Sequence, residues 1–136
     1  MSDKTAPKHL TILTADSGGE ITATPVPHGR YKPNQLAVTY AHADALRSAI
    51  EPSLSVQVTL CERAATAVGL RVSEQFFDIA TESIADDRRD LEHLVRYVSA
   101  YPVDCVIVPN LSVFGKHATK AVWRFLQNGT DVLVCN

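Results

Sequence analysis

The chain has 136 residues, 46% of them hydrophobic and 21% charged, with a formal net charge of -2. That is the balance of one globular domain able to bury its own core. It lacks the basic surplus from which a stand-alone nucleic-acid binder draws most of its affinity.

No apolar run reaches the roughly 20 residues that cross a bilayer. The opening MSDKTAPKH also has no hydrophobic stretch of the signal-peptide kind. The expectation is a cytoplasmic protein with no membrane segment. Cys61, Cys105 and Cys135 are far apart, flanked by apolar residues, and form no C-x-x-C pair. They read as small buried hydrophobes rather than as a zinc site. Neither a metal nor a cofactor is expected.

Residues 1–34 differ from the rest and read as an N-terminal extension. HLTILTADSGGEITATPVP alternates apolar and Thr positions on both sides of Asp-Ser-Gly-Gly, which predicts a β-hairpin, since glycine supplies the positive φ of a tight turn. PVPHGRYKPN carries three prolines and a glycine in ten residues and reads as an irregular connector. The domain proper is expected over 35–136.

There a βα alternation begins. Residues 36–41 predict an apolar strand. Val56, Leu60, Ala64 and Val68 recur every fourth residue on one helical face, ended by Gly69. LRVSEQFFDI predicts a second strand. DDRRDLEHLVRYVSAY predicts a helix with acids at its head, a stripe of Leu91, Leu94, Val95 and Val98, and Pro102 beyond its end. VDCVIVPN is a short apolar strand of the doubly buried kind. KHATKAVWRFLQNG places Ala118, Ala121, Val122, Phe125 and Leu126 on one helical face, and TDVLVCN closes the chain as a strand.

Four β segments separated by three helices imply a three-layer, flavodoxin-like α/β fold with a parallel sheet. Function in such sheets sits at the carboxyl ends of the strands: here His42 to Asp44, Asp78 onward, Asn110 to Lys116, and the C-terminus. YAHADALRSAIEPS contains no glycine, so neither a dinucleotide fingerprint nor a P-loop follows the first strand.

The order of these pieces resembles the catalytic domain of the serine recombinases (resolvases and invertases), from about Leu36 to Asn136. YAHAD stands where that family has Y-x-R-V-S, and SLSVQ (Ser53 to Gln57) where it has Ser-Leu-x-x-Gln. FFDIATESIADDRRDL matches its Asp-ended strand and acidic-Arg helix start, and LSVFGK stands at its L-D-R-L-G-R. The resemblance implies strand order 2-1-3-4 among the four segments, and a pocket of His42, Asp44, Gln57, Arg88, Ser112 and Lys116.

The departures fall on the reaction centre. Asp44 occupies the place of the serine that attacks DNA phosphate, and His42 that of an arginine two residues earlier. Ser112, Val113 and Lys116 replace Asp, Arg and Arg. Phosphoryl transfer through a covalent serine needs a hydroxyl nucleophile and cations to hold the developing charge. A carboxylate ~4 Å from a phosphate is repelled by about 4 kcal/mol at an effective dielectric near 20. Lysine does not replace an arginine fork. The expectation is a vestigial pocket without catalytic residues, in a domain that works by protein interaction or self-association, in regulation.

Other readings stay open. Asp44 could serve a small phosphatase or hydrolase as nucleophile, or join Asp78 or Asp104 around Mg²⁺. His42, Asp44 and Ser112 could form a Ser-His-Asp set. Arg88 could grip DNA in an accessory of a true recombinase. DDRRD otherwise reads as a solvated helix start, Trp123 as a packing residue, and His9, His28, His93 and His117 as solvated or capping side chains. Family members that recombine DNA continue past the sheet into a long helix and a helix-turn-helix. The sequence stops at Asn136, and neither element is expected.

Overall fold

The computed structural model describes residues 10–44, 53–80 and 88–135. His9, Asp86 and Asp87 lie outside them. Among the described residues six strands form one sheet. They are β1 (Leu10–Ala15), β2 (Ile21–Pro25), β3 (Leu36–Asp44), β4 (Arg71–Ala80), β5 (Cys105–Val108) and β6 (Asp131–Cys135). The helices are α1 (Leu54–Val68), α2 (Arg89–Ala100) and α3 (Ala118–Gln127), the last preceded by a 3-10 segment over Leu111–His117.

The sheet order is β2-β1-β6-β5-β3-β4. β4, β3, β5 and β6 run parallel, which is the expected 2-1-3-4 arrangement of the four segments. The hairpin adds two more strands at the far side. β1 pairs antiparallel with β6, Leu10 opposite Cys135 and Leu13 opposite Val132. Its turn forms as the sequence dictates: Asp16 Oδ1 accepts from Gly18 N at 2.9 Å and Glu20 N at 2.8 Å, and Gly19 takes a φ of 81°. That turn rests on α3, where a Cβ added at Gly19 would meet the Trp123 ring at 3.1 Å. Trp123 therefore packs, as expected.

The connector is tied to the sheet as well. Arg30 Nη2 and Tyr31 OH both donate to Asp131 Oδ2, at 2.7 and 2.8 Å, at the start of β6. Burial above all, with the neighbouring Cys105 and Asp131, pushes the Tyr31 phenol well above its ordinary value.

Side chains alternate across the strands, so the sheet has a core on each face. On one side Val38, Tyr40, Val106, Val108 and Val132 pack with Leu91, Leu94 and Val98 of α2 and Val122 and Phe125 of α3. On the other, Ala37, Cys105, Ile107 and Leu133 pack with Cys61, Ala64 and Ala65 of α1. All three cysteines are free and buried, and the Cys135 and Cys61 sulfurs lie 3.8 Å apart.

α1 begins at the Ser53 cap and ends at Gly69, whose φ is 83°. Its buried stripe differs from the expected one. Gln57, Cys61, Ala64 and Ala65 face the sheet, whereas Val56 is 49% exposed and Leu60 and Val68 sit at the margin. Small side chains let the helix approach the strands closely, and the larger aliphatics are displaced to the rim. Among the described residues no helix is long and apolar enough to cross a membrane.

Candidate functional site at the carboxyl ends of the strands

β3 is longer than the sequence implied and carries His42 and Asp44 within the strand. In the parallel register His42 lies opposite Asp78 of β4, and Asp44 opposite Ala80. Both side chains are half-buried. Gln57 reaches over from the first turn of α1 and grips the β3 backbone twice. Its Oε1 accepts from His42 N at 3.1 Å, and its Nε2 donates to His42 O at 2.8 Å. A buried amide is costly unless paired; this one fixes where β3 ends relative to α1.

Asp78 sits beneath. It is 6% exposed, and its carboxylate is fully engaged. Oδ1 accepts from Asp90 N at 2.9 Å, while Oδ2 accepts from Leu91 N at 3.0 Å and from Tyr40 OH at 2.7 Å. A strand-end carboxylate thus caps the first turn of α2, where backbone N–H groups have no partner within the helix. Asp90 returns the contact, accepting from Phe77 N at 2.9 Å.

Arg88, just ahead of α2, spans the site. Its Nη1 donates to Tyr40 OH at 3.3 Å and to the Val113 carbonyl. Gly115 makes room for it: φ is 60° there, and an added Cβ would collide with the guanidinium. The next ring over, Phe114, stacks on Tyr40 at 5.6 Å between centroids and 7° between planes. Burial, followed by the Asp78 hydrogen bond, raises the Tyr40 phenol well above its ordinary value, with Arg88 opposing.

The remaining expected residues divide. Lys116 is exposed beside Gly115. Ser112 is exposed too, and both its N–H (3.0 Å) and its hydroxyl donate to Asn110 Oδ1. That spends the hydroxyl on a local turn rather than on His42. Asp104 lies at the other end of the sheet, accepting from Gln35 Nε2 and Leu36 N at 2.9 and 2.8 Å. It is not brought to Asp44, and both oxygens of Asp78 are already occupied. Among the described residues no group of three or more His, Cys, Asp or Glu side chains could hold a metal ion. His28 lies exposed in the connector, and His93 Nδ1 stands 3.4 Å from Asp90 Oδ1.

The sequence reading missed the Tyr40 hydroxyl and Gly115 as parts of this site. A signal was available for the glycine, the one LSVFGK residue with no side chain, directly before Lys116. One was available for the tyrosine too, since Tyr40 stands at the first position of the Y-x-R-V-S pattern.

The four parallel strands of the sheet thus carry a polar constellation at their carboxyl ends. The sequence model of the resolvase N-terminal domain matches residues 47–136, and the chain belongs to that family. The match begins after β3, so His42 and Asp44 stand ahead of it.

Solved structures share the fold. The C-terminal catalytic domain of ISC1926 TnpA, an IS607-like serine recombinase, superposes with a TM-score of 0.62 at 23% identity, over 74% of this chain and 70% of that one. For the N-terminal catalytic domain of TP901-1 integrase the values are 0.59 and 18%, over 72% and 76%. The first open reading frame of transposon ISC1904 from Sulfolobus solfataricus P2 gives 0.55 and 14%, over 74% and 66%. A search of curated protein sequences finds no match.

Proposed function

We propose that this resolvase-family domain no longer performs strand exchange and works instead by binding a protein, in regulation. The observation that carries the reading is Asp44, a carboxylate at the position where the resemblance puts the attacking serine.

The neighbourhood supports it. Formation of a serine–phosphate ester requires an alcohol oxygen as nucleophile and cationic donors on the phosphoryl oxygens. Asp44 supplies negative charge in place of the alcohol. The family's first L-D-R-L-G-R arginine is Val113, whose carbonyl instead accepts from Arg88. Arg88 also braces Tyr40, so the arginine retained from the family pattern serves as a strut between β3 and the 3-10 segment. A scaffold kept with its reaction centre replaced is suited to recognition.

The test is covalent capture. The protein is incubated with negatively supercoiled plasmid, quenched in detergent, digested with nuclease and searched by mass spectrometry for a nucleotide on any side chain. The proposal expects none; a nucleotide on Asp44 or Ser112 would overturn it.

A further inference from the structure

α2 and α3 lie side by side on one face of the sheet, and between them runs an open groove of about 500 Å³. Half-buried Val95 gives it accessible hydrocarbon, over the buried Leu91 and Ala121 of the core. Arg88, Arg96, Lys120 and Arg124 line it with positive charge, and Glu92 is its one carboxylate.

Four cations thus stand there against one carboxylate. Arg96, Lys120 and Arg124 are exposed, and among the described residues their side chains make no hydrogen bond or ion pair. Lys120 and Arg124 stand one helical turn apart, where like charges repel. The chain as a whole carries a net charge of -2, so this cationic cluster runs against the overall balance. Elsewhere the surface cation Arg30 has its acid, Asp131 at 2.7 Å.

We infer that the α2–α3 groove docks an acidic, amphipathic segment of a partner protein. The inference rests on the binding role proposed above and names the chemistry of the partner. Carboxylates of the segment meet Arg96, Lys120 and Arg124, and an aliphatic side chain lies on Val95. A nucleic-acid backbone satisfies the cations but has nothing to lay on that hydrocarbon. From Arg88 to Arg96 is eight residues, about 12 Å along a helix, which suits roughly two helical turns of ligand.

The probe is a fluorescein-labelled synthetic helix with Glu along one face and Leu along the other. It is followed by anisotropy against the full chain, beside a Leu→Ser version, a Glu→Gln version and a random-sequence DNA duplex of similar length. The parent peptide is expected to saturate in the micromolar range, and each altered peptide to bind at least about tenfold more weakly. Lys120→Glu with Arg124→Glu, both at exposed positions, is expected to weaken the parent peptide at least about tenfold, with Lys120→Gln and Arg124→Gln intermediate. Val95→Ser is expected to weaken it without changing its salt dependence. Circular dichroism establishes that each variant is folded.

No saturable peptide binding would overturn the inference. So would peptide binding indifferent to Lys120 and Arg124, or duplex DNA binding more tightly than the peptide. None of these outcomes touches the loss of chemistry at Asp44, and a nucleotide adduct at Asp44 would sink that reading while leaving the groove measurement standing.

Discussion

Asp78→Ala removes a carboxylate that is 6% exposed and accepts from Asp90 N, Leu91 N and Tyr40 OH at 2.9, 3.0 and 2.7 Å. Loss of the helix cap costs about 1 kcal/mol. The Tyr40 hydroxyl is left buried with only the longer Arg88 contact at 3.3 Å, and an under-satisfied buried hydroxyl costs about 1–3 kcal/mol. Together these give about 2–4 kcal/mol. For a chain of 136 residues that corresponds to a fall in Tm of about 10 °C. Thermal unfolding followed by circular dichroism measures it.

Asp78→Asn keeps the shape and one carbonyl acceptor and is expected to lose about half as much. Combining either change with Tyr40→Phe reports the pair directly, because a hydroxyl already removed cannot be stranded. The double variant should lose about 1 kcal/mol less than the two single changes summed. An alanine variant melting within about 3 °C of the wild type, or strict additivity with Tyr40→Phe, would refute the assignment of Asp78 as the joint between β3, β4 and α2.

Gly115→Ala places a Cβ against the Arg88 guanidinium at a φ of 60°. It is expected to cost about 2 kcal/mol in urea unfolding and to shift the Arg88 side-chain ¹⁵N resonance. Gln57→Leu strips the His42 N–H and carbonyl of their partner. It is expected to cost about 2 kcal/mol and to speed hydrogen exchange at the His42 amide. Tyr31 and Tyr40 both have folded pKa values raised above the ordinary 10.0. Their contribution is therefore fully present below pH 10 and lost as pH climbs beyond it, when the unfolded chain releases protons that the folded one keeps. The urea midpoint should fall steeply above about pH 10, by about 1.4 kcal/mol per pH unit for each tyrosine. Tyr31→Phe should flatten the slope by one proton.

Local chemistry was legible in the sequence wherever neighbours within a few residues decide the outcome. Ser53 and Gly69 bound α1, Asp16 and Gly19 form the hairpin turn, and the stripes of α2 and α3 bury Leu91, Leu94, Val98, Ala121, Val122 and Phe125, with Val95, Ala118 and Leu126 at their margins. The four parallel segments follow from their alternation with helices. What stayed hidden lies across long separations. Nothing near Leu10 says that it will pair with Cys135, and nothing near Tyr31 names Asp131 as its acceptor.

The α1 stripe shows the same limit. Counting aliphatics selects Val56, which is exposed, because the buried place belongs to Gln57, a polar residue whose partner is the backbone of His42. At the candidate site, the sequence supplied the identities but not the commitments. Arg88 reads as part of a solvated helix start or as a grip on DNA, and its contacts with Tyr40 and the Val113 carbonyl lie 48 and 25 residues away in sequence.

On the proposed reading, the strand-end cleft of this resolvase-family domain does not accept a phosphodiester beside Asp44. Titration of the ¹⁵N-labelled protein with a thymidine dinucleotide, following the His42, Asp44 and Gln57 amides, tests it most directly. No saturable shift is expected at these amides up to about 10 mM ligand. Saturable shifts confined to them, with a Kd below about 1 mM and not strengthened by Asp44→Asn, would contradict it.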